Sequence, residues 1–137
     1  MTIPLIRRAL EKRLAMLRPA MPGAYDNASY KPVTGVAWLR ATLMPATIEN
    51  PTIELLTTIE RGIFAVSLFY PKGDGPAAAE TAAEAVRALF PAGLVLTESG
   101  CVTRVLRTPS IAAPVVETDW FSIPVSIRYT SIHQGNP

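Results

Sequence analysis

The stretch TTIERGIFAVSLFYP, from Thr57 to Pro71, decides the fold class. Read with a period of two, it sets Phe64, Val66, Leu68 and Tyr70 on one face and Ile63, Ala65, Ser67 and Phe69 on the other. Apolar groups on both faces describe a central strand covered on each side, by a helix on one and by another subunit on the other. Gly62 marks a bulge or a close backbone approach, and Pro71 ends the strand.

Downstream, the KGDGP loop from Lys72 to Pro76 leads into a helix over Ala77–Phe90, with Pro76 at its first position. Ala79, Ala82, Val86 and Leu89 form a thin stripe of small residues able to lie close on a sheet, opposite Glu80, Glu84 and Arg87. Pro91 and Gly93 stop this helix. Leu94–Thr97 and Cys101–Thr108 then read as a hairpin about the Ser99-Gly100 turn. The last strand spans Asp119–Tyr129, with Phe121, Ile123, Val125, Ile127 and Tyr129 on one face and Ser122, Ser126 and Arg128 on the other. Pro124 cannot donate to a ladder, which predicts an edge strand or a bulge there. Ser131 to Pro137 carries no pattern and is expected to be a flexible tail.

Upstream, Ala37–Leu43 alternates as a strand, with Trp38, Arg40 and Thr42 opposite Leu39, Ala41 and Leu43. The segment from Pro45 to Leu55 reads as a protruding loop. The N-terminal stretch Ile3–Leu17, with Thr2 as its cap, has helical spacing at Ile6, Leu10, Leu14 and Leu17, and Pro19 and Pro22 end it. Its apolar stripe, widened by Leu5, Ala9 and Met16, exceeds what one sheet face needs. Arg13 falls inside the stripe, as a snorkelling stem or a charged contact with a neighbouring subunit. The order helix, strands, helix, strands makes residues 1–137 a single α+β domain, a mostly antiparallel sheet packed against two α-helices.

Composition narrows the function. With 137 residues, 49% apolar and 18% charged, the chain has enough apolar area for a core and a surplus for its outside, which points to an oligomer. A net charge of +2 gives little steering field for sequence-specific nucleic acid, and Glu11 interrupts the basic run of Arg7, Arg8, Lys12, Arg13 and Arg18. No apolar run reaches the length of a membrane span, and these charges break any secretion signal, so the expectation is a cytosolic product. One cysteine and one histidine exclude an intrachain disulfide and the usual zinc clusters. His133 is the only neutral-pH general base but sits in the tail, and Cys101 lacks a neighbour in sequence to lower its pKa. Glu49, Glu54 and Glu60 are better read as a solvated group than as paired catalytic carboxylates. The KGDGP loop lacks the full phosphate-loop pattern. No catalytic, metal or cofactor site is expected.

Three blocks taken together, ERGIFAVSLFYP from Glu60 to Pro71, RTPSI from Arg107 to Ile111 and DWFSIPVSIRY from Asp119 to Tyr129, resemble the tail terminator, or tail completion, family of long-tailed bacteriophages. The resemblance runs over essentially the whole chain. It implies an α/β sandwich and a structural virion role: a ring, usually hexameric, that caps the head-proximal end of the tail tube, stops its polymerisation and offers a docking surface to the filled head. Its implied partners are further copies of itself, the tail tube protein and the head-tail connector, and it would be made in the host cytoplasm. A closed ring needs two different patches that meet head to tail. On that reading Leu10, Arg13, Leu14 and Phe69 are candidate contacts in the core or between subunits, and Glu49 and Glu54 mark the loop that meets the tube. Arg40, Arg61 and Arg104 are strand-borne charges that either face a ring lumen or are solvated. The alternatives are a head-completion or connector subunit, a minor tail protein, or a small enzyme using Cys101 or His133.

Overall fold

The structure, a computed structural model, describes residues 2–18, 20–28, 30–50 and 57–134. Along them run α1 (Thr2–Leu14), β1 (Gly23–Tyr25), β2 (Trp38–Glu49), β3 (Thr57–Pro71), α2 (Ala77–Leu89), β4 (Val95–Glu98), β5 (Cys101–Val105), β6 (Ser110–Ile111), β7 (Val115–Val116) and β8 (Trp120–Gln134). The strands form one sheet in the order β1-β2-β3-β8-β5-β4, with β6 and β7 also paired to β8. Only β1 with β2 is parallel. The chain is thus the α+β protein its patterning predicts.

β3 is the central strand. It pairs with β8 from Thr57↔Gln134 to Pro71↔Trp120, and with β2 on its other side. Its row of Phe64, Val66 and Leu68 is fully buried, together with Leu39, Ala41 and Leu43 of β2 and Ile123, Val125, Ile127 and Tyr129 of β8. Both helices lie on this face. α2 brings Ala79, Ala82, Ala83 and Val86, small enough for a close approach, and Phe90 just past its end meets Phe64 at 6.2 Å.

α1 brings Ile6, Leu10 and Leu14, with Leu17 beyond it. The helix stops three residues short of the expected Leu17 because Met16 and Leu17 donate to the carbonyls of Arg13 and Leu14, tightening the last turn. Leu10 and Leu14 are 0% and 1% exposed, so of the two readings, core or subunit contact, the structure places them in the chain's own core. Each such leucine stabilises the fold by about 1.5–3 kcal/mol through burial.

The sheet departs from the sequence reading at its prolines. β2 continues through Pro45 to Glu49, where a loop was expected. Leu39 N donates to Pro22 O and Leu43 N to Asp26 Oδ2, so the odd residues of β2 turn their amides to the outer edge, and Pro45 is next in that row. Its missing N–H costs no ladder bond. The register shift lies here as well, between Pro45 and Thr47, opposite Gly62 and Arg61. The bulge is therefore in β2, while Gly62 is the close approach: a Cβ there would lie 2.5 Å from both Met44 O and the Tyr129 hydroxyl.

β8 is likewise interior, and Pro124 makes neither an edge nor a bulge within the β3 pairing. Its carbonyl accepts from Ala112 N, so its nitrogen points to the same side, into the gap between β6 and β7 where no partner is needed. β8 also runs on to Gln134, so Ser131, expected in a tail, is a buried strand residue whose hydroxyl bonds Val102 O at 3.0 Å. β1, β6 and β7 are additional strands of two or three residues.

Candidate interaction surface on the uncovered sheet face

The helices leave one face of the sheet free, and strand parity decides what it carries. In rows across β2, β3, β8 and β5, it presents Trp38–Phe69–Ser122, Arg40–Ser67–Pro124, Thr42–Ala65–Ser126, Met44–Ile63–Arg128 and Thr47–Arg61–Thr130–Arg104. Met44, Val95, Leu106 and Ile132, all more than two-fifths exposed, lie on this face.

One end is sealed by aromatics. Trp38 stacks on Phe69 with centroids 4.1 Å apart, and Tyr30 and Trp120 pack against Trp38 at 5.6 and 6.0 Å. The Arg40 guanidinium sits 5.0 Å above the Phe69 ring. Phe69 is consequently 2% exposed and is satisfied within the chain. The indole N–H of Trp38 is buried without an acceptor.

The other end is cationic. Arg61 and Arg104 both register with Thr130, and Arg128 precedes it by two residues on β8, so three arginines neighbour Thr130 on this face. Arg61 pairs with Glu49, its near neighbour across the hairpin. Among the described residues, Arg104, Arg107 and Arg128 have no carboxylate partner. A cleft of about 370 Å³ opens here, lined by Thr47, Arg61, Ile63, Leu106, Arg107 and Arg128 among others. Arg40, Arg61 and Arg104 thus share the face, as period two requires. Arg128 reads from sequence only as a residue on the face of Ser122 and Ser126, and Arg107 only as part of the RTPSI block. Their nearness to Arg61 and Arg104 comes from the pairing of β8 with β3 and β5, which is not written in any one strand alone. Glu54 lies outside the described residues.

The basic residues of α1 are mostly absorbed internally. Arg13 Nε donates to Leu89 O at 2.7 Å, placing its charge on the C-terminal carbonyls of α2. Lys12 and Arg8 reach Glu98, and Arg7 binds Asp26 at 2.6 Å. Desolvation pushes the Asp26 carboxyl up, but the Arg7 hydrogen bond and charge, the Leu43 amide and the Thr42 hydroxyl outweigh it and hold the group below its ordinary value.

The candidate chemistry does not assemble. Cys101 is 1% exposed, its sulfur 3.2 Å from the Ser131 hydroxyl, out of reach of a substrate. Glu49 and Glu60 fall on opposite faces of the sheet. His133 pairs through its backbone with Thr58 near the end of β8. Among the described residues no group of His, Cys, Asp or Glu could hold a metal ion, and no helix is long and apolar enough to cross a membrane.

Fold and surface together define an α+β protein with one sheet face packed by helices and the other free for contact. The chain belongs to the phage tail terminator family, whose model, described as phage tail terminator protein, matches residues 5–129. That family is structural, not enzymatic, and makes the chain a component of a bacteriophage tail. A solved structure 35% identical in sequence aligns with all of this chain and 99% of its own, at a TM-score of 0.79. Comparison with curated protein sequences gives no match.

Proposed function

We propose that this protein is the ring-forming terminator of a phage tail: a closed ring, hexameric, that caps the head-proximal end of the tail tube, stops its polymerisation and presents the surface on which the filled head docks. The uncovered sheet face carries this reading. A face combining exposed Met44, Val95, Leu106 and Ile132 with arginines is poorly suited to remain in water and well suited to contact. Arg40 and Arg104, which have no carboxylate partner among the described residues, are assigned to the lumen side, where they would face passing DNA. The partners are further copies, the tube protein and the connector.

The test is to add purified protein to growing tail tubes and image the products by negative stain. Extra density at one tip of each tube, with a halt in elongation, is expected. Tubes that elongate unchanged beside protein that binds isolated connectors would overturn the terminator role in favour of head-tail joining.

A further inference from the structure

Among the described residues, two groups of unpaired charge stand at opposite ends of the uncovered face, with Arg40 a further unpaired cation beside the aromatic row. Arg104, Arg107 and Arg128 lie at the cleft end of the uncovered face. Asp74, Glu117 and Asp119, exposed and without ion pairs among the described residues, gather at the opposite end, where Lys72 N donates to Asp119 O and brings the two turns together. Lys72 is the one cation within those turns. The turn between β7 and β8 is held in shape by the Glu117 N–H, which donates to Trp120 O at 2.8 Å. Beside its carboxylates stand Val115 and Val116, 47% and 60% exposed. The cleft offers the complement, Leu106 and Ile63 beside Arg107 and Arg128.

We propose that the turn from Val115 to Asp119 of one copy docks in the Arg107–Arg128 cleft of the next. The contact joins different patches, so it is heterologous and able to close into a ring. It rests on the ring reading above and names the interface.

The test uses two charge-reversed chains, Arg107→Glu with Arg128→Glu, and Glu117→Arg with Asp119→Arg. All four residues are exposed, so thermal unfolding serves as the fold control. Light scattering over a concentration series is expected to show each variant associating about a hundredfold more weakly than the parent. Mixed in equal amounts, the two should assemble again, because reversed cleft meets reversed turn and native turn meets native cleft in alternation. A mixture no more associated than its components, or either variant assembling like the parent, overturns the inference. A parent that stays monomeric to its solubility limit overturns it too, and if that parent still caps tubes the terminator reading survives alone. Loss of duplex DNA binding in the arginine variant without any effect on assembly would assign the cleft to nucleic acid and equally sink the proposal.

Discussion

Gly62 and Tyr129 share one constraint, since the phenol occupies the space a side chain at position 62 would need. The carbonyl of Met44 closes the other side and, being backbone, has little room to yield. Gly62→Ala is expected to destabilise the fold by about 2 kcal/mol, read from denaturant unfolding. Tyr129 also gives the protein an alkaline limit. Burial, and then the Glu60 carboxylate, push its phenol from 10.0 up to about 12. Between those values the folded chain keeps a proton that the unfolded chain releases, so stability is full below the unfolded value and falls as pH rises toward the folded one. The drop is about 3 kcal/mol, and Tyr129→Phe should remove most of it in unfolding curves taken across that window. Burial raises Tyr25 and Tyr70 as well, which leaves the variant a smaller residual slope.

Asp26 ties two elements together, binding Arg7 of α1 and the outward amide of Leu43 in β2. Asp26→Asn should cost about 1–2 kcal/mol near neutral pH, less than a buried charged bond because the pair is partly exposed. Its folded carboxyl is held low, so the contribution is present above the unfolded value and lost as pH falls through the folded one. Parent and variant should therefore converge in acid, which melting temperatures across the acid range will check. β3, α2 and the β4–β5 hairpin were legible in the sequence because period two, helical spacing and a Ser-Gly turn are local signals. β1, β6 and β7 were not, being too short to show a period. The prolines misled for a shared reason: their cost depends on which way the nitrogen faces, and for Pro45 and Pro124 that is set by neighbours distant in the chain. The same limit hid the arginine cluster. Arg61 and Arg104 were visible as strand residues, but only pairing through Thr130 brings them beside Arg128.

At the scale of the whole molecule, a net charge of +2 conceals the distance between one group of unpaired arginines, Arg104, Arg107 and Arg128, and one group of unpaired carboxylates, Asp74, Glu117 and Asp119. The proposed contact between the turn and the cleft is screened by salt, so association through it should weaken steadily as ionic strength rises, a trend sedimentation velocity will follow. The apolar packing that buries α1 and α2 on the sheet should hold over the same range, which far-UV circular dichroism on the same samples will check. The outer edge of β2 adds a constraint of another kind. Its amides are taken by Pro22, the β1 pairing and Asp26, Pro45 has none to offer, and the bulge follows. From Leu39 to Pro45 that margin offers an incoming backbone no free amide. On the proposed reading, a subunit that ends one polymer is itself unable to seed a fibre along that stretch, and overexpression should yield discrete particles, free of cross-β aggregates templated there.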